Sequence, residues 1–81
     1  MFFSNLSVSV YPNPFVETIY FKAETESTIT LSIFDMFGRL IIKDEFQYET
    51  NINGLDLDAG IYLYTVKAED GLTLSGKLIK E

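Results

Sequence analysis

Carboxylates are the side chains in this sequence best suited to acid–base chemistry. They occur in two close pairs, Glu24 with Glu26 and Asp56 with Asp58. A general acid and a general base need a cleft that shifts the pKa of one of them, and a chain of 81 residues has little material for such a cleft. We therefore expect all four to be solvated loop acids. A weak calcium site at Asp56 and Asp58 stays open as an alternative, although the spacing of an EF-hand is absent.

The residue types on which most protein catalysis depends are missing. The chain has no histidine and no cysteine, which excludes Ser-His-Asp and Cys-His triads as well as the usual zinc sites. Its five glycines are dispersed, so no segment fits a phosphate-binding loop. The sequence predicts no catalytic residue, no metal and no cofactor, and a protein that is not an enzyme.

Composition and charge narrow the class of partner. Hydrophobic residues make up 47% of the chain and aromatic residues 15%, which is typical of a folded domain. The net charge of −6 disfavours nucleic acid and anionic membrane surfaces, and it favours a partner with basic patches. No apolar run approaches the roughly 20 residues of a membrane-spanning helix. We expect a single domain over residues 7–81, preceded by a linker remnant or N-terminal extension at residues 1–6. The sequence does not indicate the oligomeric state.

The elements that position these side chains are predicted to be strands. Apolar and polar residues alternate over most of the chain, most clearly where Ile29, Leu31 and Ile33 are separated by polar residues. No window has a helical apolar stripe. About seven short strands, the fifth of them short and irregular, indicate an all-β fold without a helix, either a two-sheet sandwich or a small barrel. We place them near residues 7–10, 18–22, 28–33, 39–46, 48–53, 61–68 and 72–80.

Tyr11-Pro12-Asn13-Pro14 is an unusual segment. Each proline fixes φ, removes an N–H donor and biases the residue before it to an extended conformation. The segment is therefore predicted to be a stiff corner that passes the first strand from one sheet to the other. The alternative is a recognition surface.

Two further segments have the residues of defined turns. Gly38 ends a turn that begins at Asp35, and its expected role is a positive φ in a hairpin. Phe37 in that turn is either an exposed contact residue or a ring that folds back over the end of the domain. Gly60 and Tyr62 open a long strand in the manner of a tyrosine corner, whose hydroxyl is expected to bond to backbone near Leu57.

Basic residues occur close to the end of this acidic sequence, at Lys77 and Lys80. Lysines on an edge strand often block unwanted strand pairing, and this would explain them fully. The alternative is a charged tag that a partner protein reads.

In order, the chain contains Val10–Pro14, Ile33–Arg39, Leu57–Tyr62 and Gly76–Lys80. This series resembles the type A C-terminal sorting domain of the type IX (Por) secretion system of Bacteroidetes, and the resemblance extends from about Ser7 to Glu81. One departure is Ala59, where many relatives have proline.

The resemblance implies a seven-stranded antiparallel Ig-like β-sandwich with Greek-key connections. It implies a signal at the C-terminus of a cargo protein, which passes through the periplasm and is recognised by proteins of an outer-membrane translocon. A sortase-like peptidase would then remove the domain, leaving the cargo at the cell surface or secreted. The recognition residues that it implies here are Gly60, Tyr62, Lys77 and Lys80, with no catalytic role for any residue.

The residues also allow two alternative functions, each from a different class. An Ig-like adhesion or carbohydrate-binding module at the cell surface would need exposed aromatic platforms, for which Tyr20, Phe37 and Tyr48 are the candidates. A purely structural sandwich that supports neighbouring domains is the other possibility.

Overall fold

A computed structural model describes residues 7–81, and the predicted linker at residues 1–6 lies outside this range. The described part consists of seven strands and contains no helix, hence none long and apolar enough to span a membrane. The strands are β1 (Val8–Tyr11), β2 (Thr18–Ala23), β3 (Ile29–Phe34), β4 (Leu40–Phe46), β5 (Glu49–Asn53), β6 (Gly60–Ala68) and β7 (Thr73–Lys80).

The strands form two antiparallel sheets. One has the order β1-β2-β5, and the other has the order β4-β3-β6-β7. Because β5 pairs with β2 and not with its chain neighbours β4 and β6, the connections on both sides of β5 cross between the sheets. This is the Greek-key sandwich that the family resemblance implied, and the two separate sheets exclude the small barrel.

The fifth strand is more regular than expected. It forms five consecutive residue pairs with β2, from Thr18–Asn53 to Lys22–Glu49. The irregularity lies just before it, at Tyr48, whose φ of 68° turns the chain from β4 into β5. A left-handed conformation at a non-glycine residue is uncommon, and it gave no signal in the sequence.

The core lies between the two sheets and follows the period of two. Ile29, Leu31 and Ile33 are completely buried on β3, while the residues between them face away from the core. The buried set also includes Phe15, which lies outside the strands. No charged or polar side chain is buried among residues 7–81. The remaining core residues are Ile19, Phe21, Ala23, Phe46, Tyr62, Val66, Ala68 and Leu78.

The proline corner does not transfer a strand between the sheets. β1 stays beside β2 in the three-stranded sheet, and only the segment after it reaches the other sheet, where Phe15 forms an isolated parallel bridge with Lys80 of β7. The chain then returns to the three-stranded sheet as β2. The corner therefore passes the chain to the second sheet as predicted, but the part that reaches this sheet is one bridged residue and not a continuation of β1.

Candidate functional site

The β6–β7 hairpin carries all four predicted recognition residues. In its register, Gly60 lies opposite Lys80, Tyr62 opposite Leu78, and Leu63 opposite Lys77. The four residues therefore share one end of one hairpin, although they do not share a face. Tyr62 points into the core, whereas the exposed Lys77 lies on the outer face.

Lys80 is half-buried at the end of the sandwich. Its ammonium group donates a hydrogen bond to the backbone oxygen of Glu81 at 2.8 Å. Its position in the strand is fixed twice, by the pairing with Gly60 and by the bridge with Phe15. Of the two lysines, Lys77 is the more exposed.

Tyr62 forms the expected tyrosine corner. Its hydroxyl donates to the backbone oxygen of Asp58 at 2.6 Å, one residue further along the chain than the position predicted near Leu57. The ring is only 8% exposed and belongs to the core. The structure thus explains the choice of tyrosine without a partner, since the ring fills the core and the hydroxyl satisfies a carbonyl of the β5–β6 connection.

Tyr62→Phe is expected to lower the free energy of unfolding by about 1–2 kcal/mol, because it leaves the Asp58 carbonyl without its donor. For a domain of this size, this corresponds to a loss of roughly 4–16 °C in Tm. Thermal denaturation followed by circular dichroism measures it, with Tyr20→Phe on the exposed face of β2 as the control. A Tm equal to that of the wild type would show that the hydroxyl adds nothing to the fold.

The Tyr11-Pro12-Asn13-Pro14 segment contacts the C-terminal strand. The Asn13 side chain donates from Nδ2 to the Lys77 oxygen at 2.8 Å and accepts at Oδ1 from the Ile79 N–H at 2.9 Å. Its amide thus bonds to β7 as the backbone of a neighbouring strand would. The peptide bonds before Pro12 and Pro14 are both cis.

Phe15 continues this pairing with its backbone. Its N–H donates to the Ile79 oxygen at 2.9 Å, and its own oxygen accepts from the Glu81 N–H at 2.8 Å. The free edge of β7 is therefore covered from Lys77 to Glu81. Sequence reasoning predicted a stiff corner here but missed its contact with the C-terminal segment, because the partners are 64 to 66 residues apart.

The turn between β3 and β4 is held by the carboxylate of Asp35. Its Oδ1 accepts from the N–H groups of Phe37 and Arg39 at 2.8 and 2.9 Å, and its Oδ2 accepts from Arg39 Nε at 2.6 Å. Gly38 has the predicted positive φ, 82°. Phe37 does not fold back over the domain: its side chain is 86% exposed, and the Arg39 guanidinium lies 5.6 Å from the ring centre.

These hydrogen bonds favour the ionised form of Asp35. Its pKa lies below the ordinary value of 3.8, mainly because the Arg39 backbone N–H donates to the carboxylate. A carboxyl group with a lowered pKa stabilises the fold above its ordinary pKa, and this contribution is lost as the pH falls through the lowered value.

Asp35→Asn is accordingly expected to lower the Tm at pH 7 and to have progressively less effect as the pH falls to about 2. Comparing the Tm of the variant and the wild type across this range measures the effect. Asp56→Asn is the matched control, since the Asp56 carboxylate accepts no hydrogen bond from the rest of residues 7–81. A Tm difference for Asp35→Asn that stays constant with pH would contradict the assignment.

A surface cleft of about 360 Å³ separates this turn from the β5–β6 connection. Its lining includes Phe37 of the turn, Ile41 of β4 and Ile61 of β6. The charged residues at the cleft are Asp56, Asp58 and the paired Asp35 and Arg39. No group of three side chains able to hold a metal ion occurs within the described range. The cleft is thus an open, partly apolar surface with an acidic margin.

The three rings considered for sugar binding lie on different elements. Tyr20 is on β2, where it stacks against Tyr11 of β1 with the ring centres 5.5 Å apart. Phe37 belongs to the β3–β4 turn of the other sheet, and Tyr48 precedes β5. They are all exposed, but Phe37 and Tyr20 do not share a sheet.

Known proteins resemble this chain in sequence and in fold. The family model described as "Secretion system C-terminal sorting domain" matches residues 9–81. An ulvan lyase of Nonlabens ulvanivorans is 32% identical over 75 residues, which are 90% of this chain and 14% of that protein. The chain thus spans about one seventh of the length of this relative.

The fold has a counterpart among solved structures. A protein of a family of unassigned function from Bacteroides vulgatus, with an immunoglobulin-like β-sandwich, superposes with a TM-score of 0.79 at 18% sequence identity. The match covers 91% of this chain and 83% of that one. It confirms the Ig-like β-sandwich.

The family match extends over nearly the whole described domain, the relative comes from a Bacteroidetes species, and the motifs that suggested the family all lie within the matched residues. The chain therefore belongs to the secretion system C-terminal sorting domain family, the type IX sorting domains, which is not an enzyme family.

Proposed function

We propose that this domain directs an attached cargo protein across the outer membrane by presenting its folded β6–β7 hairpin to proteins of the type IX translocon. The cargo would precede the domain, pass through the periplasm and reach the cell surface or the medium. A sortase-like peptidase would cut the chain upstream of the sandwich.

The observation that carries this proposal is the position of the matched motifs in the fold. Gly60 and Tyr62 open β6, Lys77 and Lys80 end β7, and the Asn13 side chain fixes the outer edge of the same hairpin. Segments far apart in sequence thus define one structural element. A partner that recognises this hairpin therefore recognises the folded domain and not a short sequence segment.

Individual roles differ within the hairpin. We propose Lys77 as a residue that touches the partner, because its charge is exposed on the outer face. Lys80 and Gly60 lie beside each other at the end of the hairpin and define its shape there. Tyr62 acts through the fold, since its ring is buried and its hydroxyl is bonded to Asp58.

Deleting the last five residues would not test this role cleanly. The segment 77–81 includes Leu78, which is 1% exposed in the core, and the groups that pair with Asn13 and Phe15. A truncated domain would lose part of its core, so a failure of export would have two explanations. Neutralising the lysine charges leaves the backbone pairing in place.

The test is a fusion of residues 1–81 to a periplasm-targeted fluorescent reporter in a bacterium with a type IX system. The wild-type fusion should appear at the cell surface or in the medium. Lys77→Gln with Lys80→Gln should reduce export, whereas Lys22→Gln with Lys43→Gln, which removes the same charge elsewhere, should not. Circular dichroism of the purified domains checks their folding.

Retention of the folded wild-type fusion in the periplasm would contradict the sorting function of this chain. Export of both lysine variants at the wild-type level would leave the sorting function standing and remove the two lysines from recognition. The reporter and the targeting signal are identical in all fusions, so these outcomes concern the domain alone.

A further inference from the structure

Apolar side chains lie next to each other on the outer face of the four-stranded sheet, away from the core. Leu40, Phe34 and Leu63 are directly paired across β4, β3 and β6. Beside them, Ile61 is paired with Ile79 across β6 and β7. Side chains paired in this way on one face have Cβ atoms about 4.5–5.5 Å apart, so they form one continuous surface.

A β-bulge enlarges this surface. The pairing of β3 with β4 shifts between Ile33 and Phe34, so that Ile41 has no partner of its own on β3. Bulges re-aim side chains and are frequent next to functional sites. Here Leu40 and Ile41 are 53% and 39% exposed. The outer apolar patch thus consists of Phe34, Leu40, Ile41, Ile61, Leu63 and Ile79.

The cleft described above borders this patch, because Ile41 and Ile61 line both. At its margin, Phe37 is 86% exposed on a turn that the Asp35 carboxylate holds in one shape. An exposed ring on an ordered turn is preorganised for contact, because little conformational freedom is lost on binding. Contiguous exposed apolar surfaces on soluble domains mark interaction sites.

Basic and acidic side chains lie on different sides of the outer apolar patch. Lys77 lies beside Leu63 on β7, whereas the carboxylates of Asp56 and Asp58 lie at the cleft. Within residues 7–81 the Arg39–Asp35 contact is the one salt bridge, so neither of these two aspartates has an ionic partner there. A complementary surface would place a basic group at Asp56 and Asp58.

The position of the patch argues against the attached cargo as its occupant. The chain enters at Val8, which pairs with Ala23 at the end of β2, close to the start of β3. The patch lies at the opposite end of β3, around Phe34. A second copy is also disfavoured, because two chains that each carry a net charge of −6 repel each other.

We propose that the outer apolar patch docks a folded protein of the export machinery whose apolar side chains are flanked by lysine or arginine. The apolar part of the contact would exclude water at Leu63 and Ile61, and the basic groups would meet Asp56 and Asp58. The proposal rests on the sorting function proposed above, and it names the surface and the chemistry of the partner.

The same reporter fusion tests this docking surface. Ile61→Thr with Leu63→Thr places threonine, which favours strands, at two positions of β6 and removes two apolar side chains that are 38% and 48% exposed. We expect export to fall about tenfold or more, as for residues at the centre of an interface. Leu72→Thr with Leu74→Thr is the control, since these side chains are 37% and 39% exposed at the other end of the same hairpin.

Two further variants address folding and charge. Leu40→Thr changes the patch from a different strand, and it replaces the β6 double variant if circular dichroism shows that variant to be unfolded. Asp56→Asn with Asp58→Asn should also reduce export, because it removes the charges that face the basic partner. Both are scored against the wild-type fusion.

Export of the folded patch variants at the level of the Leu72/Leu74 control would overturn the docking surface while leaving the sorting function intact. Failure of the wild-type fusion itself would overturn the sorting function, and the docking proposal with it. A dimer of the purified wild-type domain in sedimentation velocity, lost in Ile61→Thr with Leu63→Thr, would identify a second copy as the occupant and overturn the proposed partner.

Discussion

Phe15→Ala is expected to remove a large share of the stability of this domain. Phe15 is 1% exposed although it lies outside the strands, and its backbone bonds to Ile79 and Glu81 at the edge of β7. Truncating a buried phenylalanine costs about 3–5 kcal/mol. At roughly 0.05–0.15 kcal/mol per residue, a chain of this length has only about 4–12 kcal/mol in total.

Urea denaturation of the purified domain measures this effect, with Val16→Ala as the control. Val16 is the next residue in the chain and 57% exposed, so its truncation should change the midpoint little. A loss below about 0.5 kcal/mol for Phe15→Ala, the range of a surface change, would show that the ring does not hold the corner against the core.

Gly54→Ala is expected to be damaging for a change of one methyl group, at about 1–3 kcal/mol. A Cβ at Gly54 would lie 2.5 Å from Cε2 of Phe15 and 3.3 Å from the backbone oxygen of Glu17. The Phe15 ring cannot give way, because it is buried in the core. The Gly54 N–H also bonds to Glu17 at 2.6 Å, which keeps the two segments together.

A double-mutant cycle identifies the clash as the cause. In a Phe15→Leu background, whose shorter side chain lacks the Cε2 atom, Gly54→Ala should cost less by about 0.5–3 kcal/mol. Gly71→Ala is the control: its φ of +97° strains alanine, but no atom lies within 4 Å of the added Cβ, so it should show no coupling to Phe15. Absence of coupling at Gly54 as well would contradict the steric explanation.

The fold was predictable because its causes are local. The alternation of apolar and polar residues around Ile29, Leu31 and Ile33 predicts which side of β3 is buried. In the structure all three side chains are completely buried. Gly38 has the positive φ that was predicted for the hairpin turn, 82°. The tyrosine corner was also predictable, with an error of one residue in the acceptor, since Asp58 takes the place expected near Leu57.

The candidate site was predictable only in part, because its geometry depends on contacts between distant segments. Sequence motifs identified Gly60, Tyr62, Lys77 and Lys80, yet not that Tyr62 and Lys77 face opposite sides of the sheet.

The outer apolar patch was likewise beyond sequence reasoning. It requires the pairing of β4 with β3 and the bulge at Ile41, and an alternating pattern cannot reveal a register shift. In the sequence, Leu40 and Ile41 are only two adjacent apolar residues within a predicted strand, and nothing marks them as part of a surface.

The pairing of Asn13 and Phe15 with the edge of β7 couples the unfolding of residues 77–81 to that of the whole domain. Terminal residues usually fray independently of the rest of a protein. Here the Ile79 amide donates to the Asn13 side chain and the Glu81 amide donates to the Phe15 backbone oxygen. Both acceptors are held in place by the Phe15 ring, which is buried in the core. Hydrogen exchange of the two amides should therefore require an opening of the whole sandwich, so that the ordering of residues 77–81 reports whether the entire domain is folded.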